Sequence, residues 1–566
     1  MEKNTFEIGL VMAGAVSAGA YTGGVIDFLL QALNEWDKAK KRGSDEAPPH
    51  KVQLKVITGA SAGGMTAAML AAMINDSFTN ITCLPGREPT PDEISHNKLY
   101  NAWVDQVDIS KLLRANDLKK ANSKVTSLLD STILDDIADA TIRFNGSGTR
   151  PDYISEMLHL YLTVTNLQGI PYDIQFKGRS GKGHTITQHT DFFHFLLSDH
   201  QPQSRETEWL NPKNDTHPNW DLLKKVALAT GAFPGGLAPR LIERPFSHYD
   251  LRSWPVPLRP DPSDSSAPNK CIEMQNIAPS WPSNNQDQFN FLSVDGGVMD
   301  NEPLELARQT LAGDNQYNPR GAENVSRSVL MVDPFPSEKM NTLQKPANFE
   351  DYDIVSVFSQ LFGSLIAQSR FKPDELILAN SSDVYSRFLI APTRYTQDDQ
   401  KAEYPIASGF LNGFGGFMSK KFRMHDFQLG RRNCQQFLRR YFALPVEQAK
   451  KNSIFGEYDE GDFERFSYQK NGKRFLPIIP LVGDAKDEAF PLHWKTLEMT
   501  DRELDELRHK VTDRTKIVID RLINQYIDGG FTRSAAKLVA RFKRNNIVNK
   551  IMGIIEDDLT EFKLKS

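Results

Sequence analysis

Between Lys51 and Met73 the chain reads KVQLKVITGASAGGMTAAMLAAM. A run rich in β-branched residues enters a knot of Gly, Ala and Ser and leaves as a helical run with no polar face. A strand, a tight turn and a helix of that kind must be buried on every side, which a mostly parallel sheet covered by helices on both faces provides. The segment Phe6 to Met12 (FEIGLVM) repeats the plan, followed by a small-residue loop and a helix expected from about Gly19 to Leu33. The stretch Val56 to Ile74 is nearly long enough to span a bilayer, but Thr58 to Gly64 inside it reads as the turn, so no spanning helix is expected. The apolar stretch Ile8 to Ala20 imitates a secretory leader only weakly, because Glu2 and Glu7 precede or open it where a positive start is needed.

Further strands are expected at Leu158 to Asn166, Tyr172 to Lys177, Phe291 to Val294 and Ser328 to Asp333, alternating with helices that include Asp221 to Thr230 and Pro303 to Leu311. Two stretches break the rhythm and read as insertions or long surface loops: 145–219, polar and holding several His, and 252–288, rich in Pro, Ser and Asn. With 566 residues the chain exceeds the roughly 250 to 300 at which one core stops growing. The expected division is a catalytic α/β domain over 1–345 and a mostly helical extension over 346–566.

Charge and cysteines exclude several classes. Sixty-seven Lys plus Arg against 72 Asp plus Glu give a net charge of −5, which is no nucleic-acid footprint. The three cysteines, Cys83, Cys271 and Cys434, form no CxxC pair, so neither a disulfide framework nor a cysteine zinc site is indicated and a reducing, cytoplasmic location is expected.

Three loops carry chemistry. Gly59-Ala60-Ser61-Ala62-Gly63 is a GxSxG pattern placed between strand and helix, where a nucleophilic Ser sits on a strained elbow at the positive end of the helix. Gly14-Ala15-Val16-Ser17-Ala18-Gly19 leaves backbone amides uncovered beside a helix start. It lacks the Lys of a P-loop and the spacing of a dinucleotide fingerprint, so an oxyanion hole is the remaining use. Asp295-Gly296-Gly297 follows a short strand, exposing a carboxylate within reach of another loop's hydroxyl. The cluster His184, His189, His194 and His200 lies in a polar stretch without clear ligand spacing, and no metal or other cofactor is expected.

With these three loops in this order, the chain resembles the patatin-like phospholipases over roughly residues 5 to 335. The segments Ala227 to Pro239 (ALATGAFPGGLAP) and Tyr161 to Leu167 (YLTVTNL) add to the resemblance. It implies a three-layer α/β fold and a Ser-Asp dyad without His. Ser61 would be the nucleophile and Asp295 the general base, flanked by Gly296 and Gly297. The amides around Gly14, Ala15 and Val16 would be the oxyanion donors, and Gly59 and Gly63 would shape the elbow. The family loop usually carries an Arg where this chain has Ala18, which bears on the substrate more than on the reaction.

The expected reaction is hydrolysis of acyl esters of membrane phospholipids through an acyl-enzyme, as a phospholipase A. Two alternatives stay open: a carboxylesterase or lysophospholipase acting on soluble or single-chain esters, and a latent or inactive scaffold. An α/β-hydrolase triad would need one of His425, His493 or His509 instead. Between Gly409 and Phe442, Phe414, Phe417, Phe422 and Phe427 stand among Lys420, Lys421, Arg423, Arg431, Arg432, Arg439 and Arg440. That mixture suits either peripheral membrane contact or a helix packed on the catalytic domain, the latter being the simpler expectation. An HDFxLGRxN spelling within it has no role that the sequence reveals. A cytosolic lipase threatens its own membrane, so an unidentified activator is a further expectation.

Overall fold

The computed structural model describes residues 4–82, 88–119, 123–146, 148–174, 184–204, 207–257, 272–281, 287–313, 316–335, 354–370, 373–396, 398–488, 493–527 and 530–565. Cys83, Cys271, the end of the strand expected to reach Lys177 and the boundary expected at 345–346 lie outside these residues.

A nine-stranded sheet forms the centre. Strands β1 (Thr5–Met12), β2 (Lys51–Gly59) and β3 (Ile154–Ile174) pair in parallel, β4 (His184–Leu197) runs antiparallel to β3, and β5 (Glu208–Leu210) ends that side. On the other side of β1, β10 (Arg327–Val332) and β11 (Arg387–Ile390) continue in parallel; β6 (Arg240–Pro245) and β9 (Gln288–Asp295) branch from the second half of β3. The remaining strands make a separate hairpin, β7 (Ser253–Pro257) with β8 (Ile272–Asn276), and a small sheet of β12 (Ala443–Pro445), β13 (Tyr468–Lys470) and β14 (Lys473–Pro477).

Side chains alternate between two covered faces, giving three layers. Phe6, Ile8, Leu10 and Met12 of β1 join the main core with helices α1 (Gly19–Lys41), α2 (Ser61–Met73) and α3 (Pro218–Thr230). Val11, Val56, Val329 and Met331 face the opposite way, onto α4 (Leu304–Ala312). Helix α1 runs past the expected Leu33 because Trp36 still turns into the core.

Two expectations change. The stretch 145–219 is mainly sheet: the two strands expected around Tyr161 and Tyr172 are one strand, bent where the register shifts between Thr165 and Ile170 and Gly169 takes a φ of +77°. Within the described part of 252–288 the hairpin β7–β8 holds Ser253–Pro257 and Ile272–Asn276.

Residues beyond 346 are mostly helical, with α5 (Ile354–Gln368), α6 (Pro373–Asn380), α7 (Lys420–Arg440), α8 (Asp501–Tyr526) and α9 (Gly530–Glu561). They are continuous with the rest: β11 extends the central sheet, and Phe422, Phe427 and Leu438 of α7 belong to the main core. Helix α7 crosses α1 where side chains are missing. A Cβ on Gly24 would overlap the Phe427 carbonyl, and one on Gly430 would overlap that of Tyr21. The HDFxLGRxN spelling is this crossing. Asp426 accepts the N–H groups of Ala407 (2.7 Å) and Ser408 (2.8 Å), Arg431 pairs with buried Asp27 of α1, and Asn433 accepts the Tyr21 hydroxyl at 3.1 Å. Phe417, Phe422, Phe427, Arg423 and Arg431 are thus buried, and only the packed-helix expectation suits them. Among the described residues no helix is long and apolar enough to cross a membrane.

Candidate active site

Strand β2 delivers the chain to Gly59, Ala60 stays extended, and Ser61 opens α2 with a φ of +51°. A non-glycine residue rarely takes this left-handed conformation, and a structure holds one there only when its surroundings enforce it. Here the two glycines allow it. A Cβ on Gly59 would stand 2.6 Å from the Gly63 carbonyl, and one on Gly63 would overlap the Met12 oxygen. The Ser61 N–H, one of the amides a helix start leaves free, donates to Thr230 Oγ1 at 2.8 Å.

Asp295 ends β9 beside the elbow. Its Oδ2 accepts the Ser61 Oγ proton at 2.7 Å and its Oδ1 accepts the Gly297 N–H at 2.8 Å. Its backbone is fixed as well, with N–H donating to Ala232 O at 3.0 Å and C=O accepting from Thr165 Oγ1 at 2.8 Å. Burial pushes the carboxyl up to about 7, against the opposing pull of the Ser61 and Gly297 hydrogen bonds. Gly296 has no space for a side chain, since a Cβ would overlap the Thr163 carbonyl.

The loop after β1 closes the site. A Cβ on Gly14 would stand 2.9 Å from the Ser61 Cβ, so the loop lies against Ser61. The Gly14 N–H donates to Asn301 O at 3.2 Å and is therefore engaged; the N–H groups of Ala15, Val16 and Ala62 meet no acceptor among the described residues. Val16, β-branched, is held at a φ of +49°. Ser17 holds the loop from behind: its hydroxyl donates to Gly413 O and accepts the Gly416 N–H at 2.9 Å. Ala18, where the family's Arg is expected, is fully buried in the core.

Thr230 and Asn301 were not singled out by sequence reasoning. Thr230 lies within the segment ALATGAFPGGLAP and Asn301 six residues after Asp295, so each stands beside a recognisable signal without itself being one. A Cβ on Gly297 would stand 2.5 Å from Asn301 Oδ1, which also crowds Gly14, so this amide separates the base loop from the loop after β1. Its Nδ2 donates to Glu302 Oε1 at 2.5 Å. Glu302, pushed up to about 7 by burial and by Asp333, accepts Arg370 Nε at 3.1 Å, and Arg370 also holds Asp333 at 3.1 Å.

The histidines lie elsewhere. His425 bonds to Asp426 at 2.8 Å, and no histidine bonds to Ser61 or Asp295 among the described residues. His194 stacks on Tyr161 and meets His159 at 2.9 Å, while His189 bonds to Asn166 O at 2.7 Å. No group of three or more metal-ligating side chains gathers among the described residues. A cleft of about 720 Å³ lies behind the base loop, lined by Tyr161, His194, Trp254, Met299, Glu302 and Arg370 among others; neither Ser61 nor Asp295 lines it.

The model of the patatin-like phospholipase family matches residues 10–308, a span holding all three loops. The chain belongs to that family and is a hydrolase of the phospholipase and esterase type. It is also similar to the uncharacterized protein y4iI of Sinorhizobium fredii, 33% identical over 606 aligned residues that cover 97% of this chain and 80% of that protein. Among solved structures it is similar to VipD from Legionella pneumophila, at 13% identity, 96% of this chain and 86% of that one, with a TM-score of 0.19, too low to carry an argument.

Proposed function

We propose that the protein hydrolyses acyl esters of membrane phospholipids with Ser61 as nucleophile and Asp295 as base. The observation that carries this reading is the 2.7 Å hydrogen bond from Ser61 Oγ to Asp295 Oδ2, made at a helix N-terminus. Asp295 takes the hydroxyl proton as the oxygen attacks the ester carbonyl, and its Oδ1 stays anchored on the Gly297 amide. The free amides of Ala15, Val16 and Ala62 stabilise the negative charge that develops on the carbonyl oxygen. Asp295 then gives that proton to the departing alcohol oxygen, which leaves the acyl group on Ser61; in the second half-reaction Asp295 takes a proton from the attacking water and returns it to Ser61 Oγ as the fatty acid is released. A carboxyl pushed up to about 7 exchanges protons readily near neutrality, which suits a base that must accept one in each half-reaction.

A second reading has its own observation. With Ala18 buried where a guanidinium was expected, the loop offers no charge to a phosphate head group, which favours single-chain or soluble esters. Fatty-acid release from phospholipid vesicles and from a short-chain ester, compared among wild type, Ser61→Ala and Asp295→Ala, separates the two. Release from vesicles that vanishes in both variants supports the first reading. Turnover of the short ester alone supports the second, and no Ser61-dependent turnover on either substrate removes both. The reading keeps a cytoplasmic place of action, in line with a sequence of three cysteines without a CxxC pair.

A further inference from the structure

Helix α9 carries a charge pattern found nowhere else in the chain at this length. From Gly530 to Ile555 it contains Arg533, Lys537, Arg541, Lys543, Arg544 and Lys550 and no carboxylate. The remaining 61 basic and 72 acidic residues leave the rest of the molecule at −11, so this segment is opposite in sign to the net charge of the remainder, and carboxylates return to the helix only at Glu556.

Its second half packs one face inward, with Val548, Met552, Ile555 and Leu559 buried. An ordinary surface helix would then turn polar side chains outward. Instead Ile547, Ile551 and Ile554 are 42%, 37% and 49% exposed. At 3.6 residues per turn these three and Lys543 and Lys550 fall within an arc of about 100°. Lys543 precedes Ile547 by one turn and Lys550 precedes Ile554 by one turn, and neither lysine makes an ion pair among the described residues. Isoleucines gain from an apolar phase and unpaired ammonium groups from anions above it, an arrangement that matches the boundary of an anionic bilayer. Two copies of such a strip would repel each other, which disfavours a dimer through this face.

From this we infer that the outer face of α9 docks the protein on an anionic lipid surface, with Ile547, Ile551 and Ile554 entering the acyl boundary and Lys543 and Lys550 meeting the head groups. The choice of a lipid surface rests on the reading of the chain as a lipid acyl hydrolase, and the test lets the two fail separately.

The test uses full-length protein carrying Ser61→Ala, so that binding is read without hydrolysis. Flotation with vesicles of phosphatidylcholine alone is compared with vesicles that also contain phosphatidylserine, at low and high salt. The expected result is roughly tenfold or stronger preference for the anionic vesicles, weakened by salt. Lys543→Glu with Lys550→Glu is expected to abolish the preference. Ile547→Ser with Ile551→Ser and Ile554→Ser is expected to weaken binding, each variant being checked for an unchanged melting temperature. Equal binding to both vesicles, or variants that bind like their parent, would overturn the inference. So would isoleucine-dependent dimerisation in sedimentation, or capture of polyglutamate without capture of vesicles. Vesicle binding by this route together with a wild type that releases no fatty acid would leave the surface standing and remove the hydrolase reading.

Discussion

The Gly416 N–H donates to Ser17 Oγ at 2.9 Å across 399 residues of sequence. The same hydroxyl donates to Gly413 O, so the loop that faces Ser61 is tied to the C-terminal third by one side chain used in both directions. A buried hydroxyl with two backbone partners leaves both unsatisfied when it is removed, at about 1–3 kcal/mol each.

Ser17→Ala should therefore lower kcat on a short-chain ester by roughly 10- to 100-fold with KM little changed, since the loop meets the reacting oxygen and not the acyl chain. Steady-state kinetics beside a thermal melt checks this. A fall in KM-dependent binding alone would assign Ser17 a different role.

Activity should depend on pH through Asp295. Its carboxyl is pushed up to about 7, and only the deprotonated form can take the Ser61 proton. Turnover of a neutral ester should rise as pH increases through about 7 and level off above it, and a pH–rate profile reads this directly. A profile already flat from pH about 5 upward, near the ordinary carboxylate range, would contradict it.

The same shift predicts a trade between activity and stability. In the unfolded chain Asp295 ionises at its usual value, and in the folded protein near 7, so native stability falls as pH rises between the two and stays lower above. Asp295→Asn should abolish turnover yet melt at or above the wild-type temperature at alkaline pH, with the gap shrinking in acid. Calorimetry at the two pH values checks the sign.

Neighbouring glycines on α1 should behave oppositely. A Cβ on Gly24 would overlap the Phe427 carbonyl, whereas one on Gly23 would meet the Phe427 ring at 3.5 Å, an ordinary contact. Gly24→Ala should cost about 1–3 kcal/mol or more, while Gly23→Ala should be neutral or stabilising because Ala favours a helix. Denaturant midpoints of the two variants measure the difference.

What the sequence disclosed follows from range. Ser61 and Asp295 were legible because each sits in a local strand-to-turn signal whose spelling is constrained by the turn itself. Thr230, Asn301 and the Gly413–Gly416 partner of Ser17 act across the fold, and nothing in their own neighbourhoods demands them. Strand β4 was hidden for another reason. Its first residues, His184 to Gln188, lie on the outer part of the hairpin and are largely exposed, so they carry no apolar alternation and imitate a loop. The Phe and Arg residues of α7 read as a surface because buried Arg is rare; Arg431 escapes that rule by pairing with Asp27, which also accepts the Asn97 amide at 2.6 Å.

Asp27 and Arg431 are 404 residues apart. At about 5 to 20 residues per second on a ribosome, roughly 20 to 80 seconds pass between the synthesis of the two. During that time α1 has its glycine face open and Asp27 lacks its guanidinium, while the loop before it still waits for Gly413 and Gly416. The nascent chain thus holds Ser61 and Asp295 long before it can brace the loop opposite them, and that bracing waits until the last third has been made.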